Sequence, residues 1–150
     1  MIIIGDRRSD SWNFFGHASI AISGGGLYSF GTDTACGAPV GDFIRSQSNV
    51  RDQIVFRIKT TPAQDKQMLD SLRQYGQCKT VPLFPDNCAY RVEKALRAGG
   101  IGLNDPFFSS PFPASLLRSL LIRSALGMAQ QQNVPMNSSN SPDTSDFEPH

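Results

Sequence analysis

Two side chains in this sequence have the types and setting for covalent chemistry, Cys88 and His17, and a third, Ser29, is placed to orient the histidine. Cys88 follows Pro85-Asp86-Asn87 and precedes a run that stops at Gly99-Gly100. Proline cannot continue a helix, Asp and Asn are good N-cap residues, and glycine terminates, so the spacing predicts a helix from near Cys88 to Ala98. A cysteine in the first turn meets unpaired backbone N–H groups and the positive end of the helix dipole. These favour thiolate and can lower the pKa from about 8.5 to the range of about 3.5 to 7.5. The expectation is a nucleophile at neutral pH. Cys88, Val92, Ala95, Leu96 and Gly99 form one apolar stripe, which puts the sulfur at the mouth of the core and sends Arg91, Lys94 and Arg97 to water. The competing reading of Cys88 is a small buried hydrophobe, and only a partner base separates the two.

His17 supplies the candidate base. Phe14 to Ile22 reads as a strand, Ser23-Gly24-Gly25-Gly26 as a tight turn, and Leu27 to Gly31 as the returning strand of a hairpin. If the three glycines form the loop and Ser23 faces Leu27, odd positions share one sheet face. His17 and Ser29 then lie on the same side, diagonal to one another, a geometry in which the second strand orients an imidazole on the first. The plainer reading of His17 is a strand histidine satisfied by a backbone carbonyl.

The rest of the chain must position these groups. At 150 residues and 39% hydrophobic content, it suits a single domain. A net charge of +1 with no basic run argues against nucleic acid as a partner. No apolar stretch approaches the roughly 18 residues that span a bilayer, and Met1-Ile2-Ile3-Ile4 is too short for the core of an export signal. Three cysteines, Cys36, Cys78 and Cys88, are too few for a disulfide framework and lack the paired spacing of a zinc site, so neither metal nor cofactor is expected. Cys36 and Cys78 can bridge in an oxidising compartment, a pairing the sequence leaves open.

In chain order, Met1 to Ile4 is a short strand and Gly5 to Ser11 a charged turn. Thr32 to Val50 is a long surface connection with a short apolar element around Phe43-Ile44, and such a connection can line a groove. Gln53 to Lys59 is a strand. Thr61-Pro62-Ala63-Gln64 is a capping box with proline at the first helical position, opening a helix that buries Met68, Leu69, Leu72 and Tyr75 and ends near Gly76. Phe107, Phe108 and Phe112 either cover the end of the core or form an apolar wall facing substrate. Ala114 to Met128 is a last helix with Leu116, Leu117, Leu120, Leu121 and Ala125 buried. Residues 130–150 are polar, proline-bearing and aperiodic, which predicts a disordered tail after a domain spanning 1–129.

The order of parts, a histidine strand, a glycine turn, a strand with a polar residue, a third strand, a capped helix and then Asn-Cys at a helix start, resembles the papain-like cysteine hydrolases in their circularly permuted branch. Gly16 to Ser29 is similar to the histidine hairpin of NlpC-type cell-wall peptidases. Asn87-Cys88 and the amphipathic helix behind it are similar to the Asn-Cys helix of lecithin-retinol-acyltransferase-like proteins. The likeness covers roughly residues 12 to 100.

The resemblance implies an α+β fold, papain-like in its permuted form, with a small antiparallel sheet packed against the Cys-bearing helix and further helices. It implies Cys88 as nucleophile, His17 as base and later acid, and Ser29 at the orienting position, which in the family is more often His, Asn or Gln; Tyr28 and Asp33 compete for that role. The backbone N–H of Cys88 becomes the first oxyanion donor. The activity implied is amide hydrolysis through an acyl-enzyme on a peptide or protein, peptidoglycan included. Acyl transfer by the same pair and a catalytically silent binding module are the alternatives. Small proteins of this type are, by the same resemblance, often toxins delivered into rival bacteria by dedicated secretion machines and met there by a cognate immunity protein.

Overall fold

The computed structural model describes residues 1–6, 16–79, 86–103, 112–139 and 141–150. Its centre is a five-stranded antiparallel sheet of β1 (Ile2–Gly5), β2 (His17–Ile22), β3 (Gly26–Tyr28), β4 (Gln53–Arg57) and β5 (Gln130–Val134), in the order β3-β2-β1-β4-β5. The isoleucine run of β1 therefore pairs on both sides, with β2 and with β4. It is also buried on both faces, which explains why it is continuously apolar instead of alternating.

The helices divide between the two faces. α1 (Val40–Ser48) covers one, packing Val40, Phe43 and Ile44 on Ile3, Ala21, Leu27, Val55 and Val134. α2 (Pro62–Arg73), α3 (Cys88–Ala98) and α4 (Pro113–Ala125) cover the other, over Ile2, Ile4, Ala18, Ile20, Ile22 and Phe56. The α+β class with a small antiparallel sheet and further helices is as expected. Thr61 and Gln64 cap α2 reciprocally, as the capping box predicts.

Three expectations need correction. The connection from Thr32 to Val50 contains a whole helix, α1, because Val40, Phe43 and Ile44 fall at the spacing of one helical face even among small and polar residues. The polar run after residue 129 is not a disordered tail throughout: β5 pairs with β4 from Gln130–Arg57 to Val134–Gln53. Four of its five residues are exposed, so an edge strand satisfied by main-chain bonds needs no apolar alternation. Farther on, Glu148 bonds the N–H groups of Val40 and Gly41 at 2.9 and 3.0 Å, capping α1 where Pro39 has no side-chain group to offer. Finally, Leu121 and Ala125 of α4 face solvent and the buried stripe is Leu116 and Leu120, because the sheet and α3 cover only the first turns of that helix. Phe107 and Phe108 lie outside the described residues.

Candidate active site

α3 begins where the sequence places it. The Asn87 side chain accepts the Tyr90 N–H at 3.1 Å, fixing the first turn and with it the direction of the Cys88 side chain. Asp86 pairs with Arg91 at 2.9 Å. Arg91, expected in water, is instead buried, its guanidinium 4.7 Å from the Phe30 ring centre and 4.0 Å from that of Tyr75. A planar cation stacked between two rings and neutralised by a carboxylate can leave water at small cost, which an apolar-stripe count does not register. This anchor fastens the start of α3 to the segments that directly follow β3 and α2.

Cys88 is the free cysteine among the described residues and is partly exposed. Backbone N–H groups of Ala18, Ala89 and Cys88 itself interact with its sulfur and favour the thiolate. Burial acts the other way and is the larger effect, so the thiol is pushed up from its ordinary value. The expected thiolate at neutral pH is thus overturned for the resting protein: the helix start is present, but the sulfur sits too deep against the sheet for it to prevail.

The hairpin turns over Ser23-Gly24-Gly25, with Ile22 opposite Gly26. This shifts β3 by two residues from the expected pairing, and a shift of two preserves the faces. One step beyond the Ile20–Tyr28 pair, Ser19 comes opposite Ser29 and donates to it at 3.1 Å. His17 is diagonal to Ser29, with Nε2 2.9 Å from its hydroxyl oxygen. Thr32 Oγ1 adds a contact to Ser29 at 3.1 Å. Ser29 can then direct its own hydrogen at Nε2, which leaves the imidazole neutral with its proton on Nδ1. Burial, with the Arg51 charge nearby, lowers the His17 pKa to about 3. Of the candidates for the orienting position, Ser29 meets the histidine, Tyr28 faces the side covered by α2, α3 and α4, and Asp33 is exposed.

The structure brings His17 and Ser29 together but not His17 and Cys88. His17, Ser19 and Ala21 alternate onto the α1 face, while Ala18, Ile20 and Ile22 face α3. Among the described residues no hydrogen bond joins the imidazole to the sulfur, and the sulfur contacts the Ala18 N–H one residue along. Sequence reasoning missed Ser19, Thr32 and Arg51 around the histidine. Ser19 was detectable as the odd-numbered polar residue of the same strand; Arg51 reaches the site over Gly5, where a side chain would collide with it, and no local pattern announces that.

On the α3 side, a cavity of about 650 Å³ opens beside Gly16, walled by Ile4, Ile54, Leu117 and Phe112 with Asp6 and Asp52 at its margin. Gly16, the residue before His17, lies on the cavity wall, and Cys88 is not among the lining residues. Among the described residues no group of three or more His, Cys, Asp or Glu is placed to hold a metal ion, and no helix is long and apolar enough to cross a membrane. A scan against protein-family models and searches of curated proteins and of solved structures return no match for this chain.

Proposed function

We propose that the chain is a cysteine-dependent amide hydrolase with Cys88 as nucleophile. The observation that carries this reading is the partly exposed sulfur at the first residue of α3, amid the backbone N–H groups of Ala18, Cys88 and Ala89. Such donors suit the oxyanion of an acyl-transfer step, with the Cys88 N–H as first donor. His17 acts as base. It takes the thiol proton as Sγ bonds to the amide carbon, and returns it to the nitrogen as the C–N bond breaks. Water then attacks the thioester, losing a proton to His17, and the acid and the thiol are restored.

This role requires the imidazole to leave Ser29 and turn to the α3 side. Gly16, with φ at 76° directly before His17, is the backbone position with the freedom for that turn. The resemblance of the two motifs to NlpC-type peptidases supports a peptide substrate, from peptidoglycan or a target protein. It equally supports a role as an antibacterial effector delivered by a dedicated secretion system and neutralised by an immunity protein.

A second reading, a binding module without catalysis, is favoured by the placement of His17 on the face opposite Cys88. Incubation with peptidoglycan fragments or candidate proteins tests the first. New amines that depend on Cys88 support hydrolysis, fatty acyl transfer to an acceptor makes the protein an acyltransferase, and silence in both assays favours the binding module.

A further inference from the structure

We propose that the disulfide between Cys36 and Cys78 is a redox latch that ties the two helical layers together around the β3 edge and controls access to Cys88. The bond closes 42 residues of chain. Cys36 lies exposed between β3 and α1, a few residues beyond Thr32, whose hydroxyl contacts Ser29. Cys78 is only 2% exposed and belongs to the core beneath α2 and α3, ten positions before Cys88. β3 is the outer strand of the sheet on that side. A covalent bond from the loop leading into α1 to the core beneath α3 therefore passes around a sheet edge where main-chain bonds also meet, among them the Leu27–Ala38 bridge and Gly31 N–H to Cys78 O at 2.8 Å.

The exposed position of Cys36 lets a thiolate reach the bond while the protein is folded. A dithiol attacks the Cys36 sulfur and forms a mixed disulfide, and Cys78 leaves as a thiolate that takes up a proton. The second thiol of the reductant then releases Cys36 and closes the reductant's own disulfide. Oxidation runs in reverse against glutathione disulfide, which accepts the two electrons and is cleaved to two thiols as the Cys36–Cys78 bond forms. In a reducing compartment the layers are untied, and in an oxidising one they are latched. The proposal concerns the state of the fold and holds whatever chemistry Cys88 performs.

The test uses the full chain, oxidised or treated with dithiothreitol that is then removed, with thermal melting and the alkylation rate of Cys88 read on its own peptide by mass. Reduction is expected to lower the melting temperature by about 10 °C, given the usual contribution of a disulfide and the size of the chain. It is expected to raise Cys88 alkylation on the order of tenfold by local opening. Glutathione disulfide should restore both values, and Cys36→Ser should match the reduced protein without any reductant. Equal melting and equal alkylation in the two states, or a bond that dithiothreitol cannot break without unfolding the chain, would overturn the latch. Because wild-type protein is compared in both states, the result stands even if Cys36→Ser fails to fold.

Discussion

The Nε2 atom of His17 lies 2.9 Å from the Ser29 hydroxyl oxygen, on the face of the sheet that α1 covers. The strand that carries this pair also presents the Ala18 N–H to Cys88 from its next residue. His17 and Cys88 thus meet β2 at consecutive residues, the first on its α1 face and the second, from α3, on the other. The hydrogen bond to Ser29 holds the ring on its side, and burial keeps it neutral.

Acid should destabilise the protein through His17. Its folded pKa is lowered to about 3, below the ordinary 6.5, so between these values the unfolded chain binds a proton that the native state does not. Stability is complete above the unfolded pKa and is lost as pH falls through this window. The loss is about 2–3 kcal/mol by pH 4.5, from 1.36 kcal/mol per pKa unit. Urea unfolding at pH 7.5, 6 and 4.5 should show that fall in the wild type and a flatter profile in His17→Gln.

Glu148→Ala should lower stability by about 1–2 kcal/mol, because it leaves the Val40 and Gly41 N–H groups without the carboxylate that caps α1. The carboxyl is held below its usual range, Gly41, Thr144 and Val40 hydrogen bonds outweighing the opposing effect of burial. Its contribution is present above the unfolded pKa and disappears as pH falls through the folded one. A chain shortened before residue 141 should lose at least as much, measured by denaturant midpoint at neutral pH. An unchanged midpoint in both variants would show that the C-terminal stretch contributes nothing to α1.

Asn87→Ala removes the side-chain cap of α3 and should cost about 1 kcal/mol. Thr61→Ala should cost a similar amount at the start of α2. Only the Asn87 change should alter Cys88 alkylation, since only that cap holds the turn bearing the sulfur. Equal effects of both variants on alkylation would mean general loosening of the fold.

The parts of this fold that were legible in the sequence are those that local chemistry decides. Thr61-Pro62-Ala63-Gln64 and Asn87-Cys88 mark helix starts through hydrogen bonds within a few residues, and the His17–Ser29 diagonal follows from strand alternation. What local chemistry does not decide was missed. β5 is a polar edge strand stabilised by its partner, and α1 is capped by a glutamate 108 positions away from Val40. Arg91 is buried by rings from two distant segments of the chain. The thiol of Cys88 is governed by depth against the sheet, a tertiary quantity, and not by the helix start that made it conspicuous.

Cys88 should alkylate slowly near pH 7 and still accelerate above pH 9, since burial raises its pKa above the ordinary value. His17→Ala should leave this resting profile unchanged, because the ring does not touch the sulfur. A midpoint near pH 7 that moves upward in His17→Ala would place the two residues in contact in solution.

The central claim is that Cys88 breaks an amide bond, and amine release from purified peptidoglycan fragments and candidate target proteins measures it directly. The wild type should release amines. Cys88→Ala should release none while keeping its cooperative unfolding, and His17→Ala should be slower by about 10²- to 10⁴-fold, the range of a positioned acid–base residue. Release by Cys88→Ala at the wild-type rate would contradict the account.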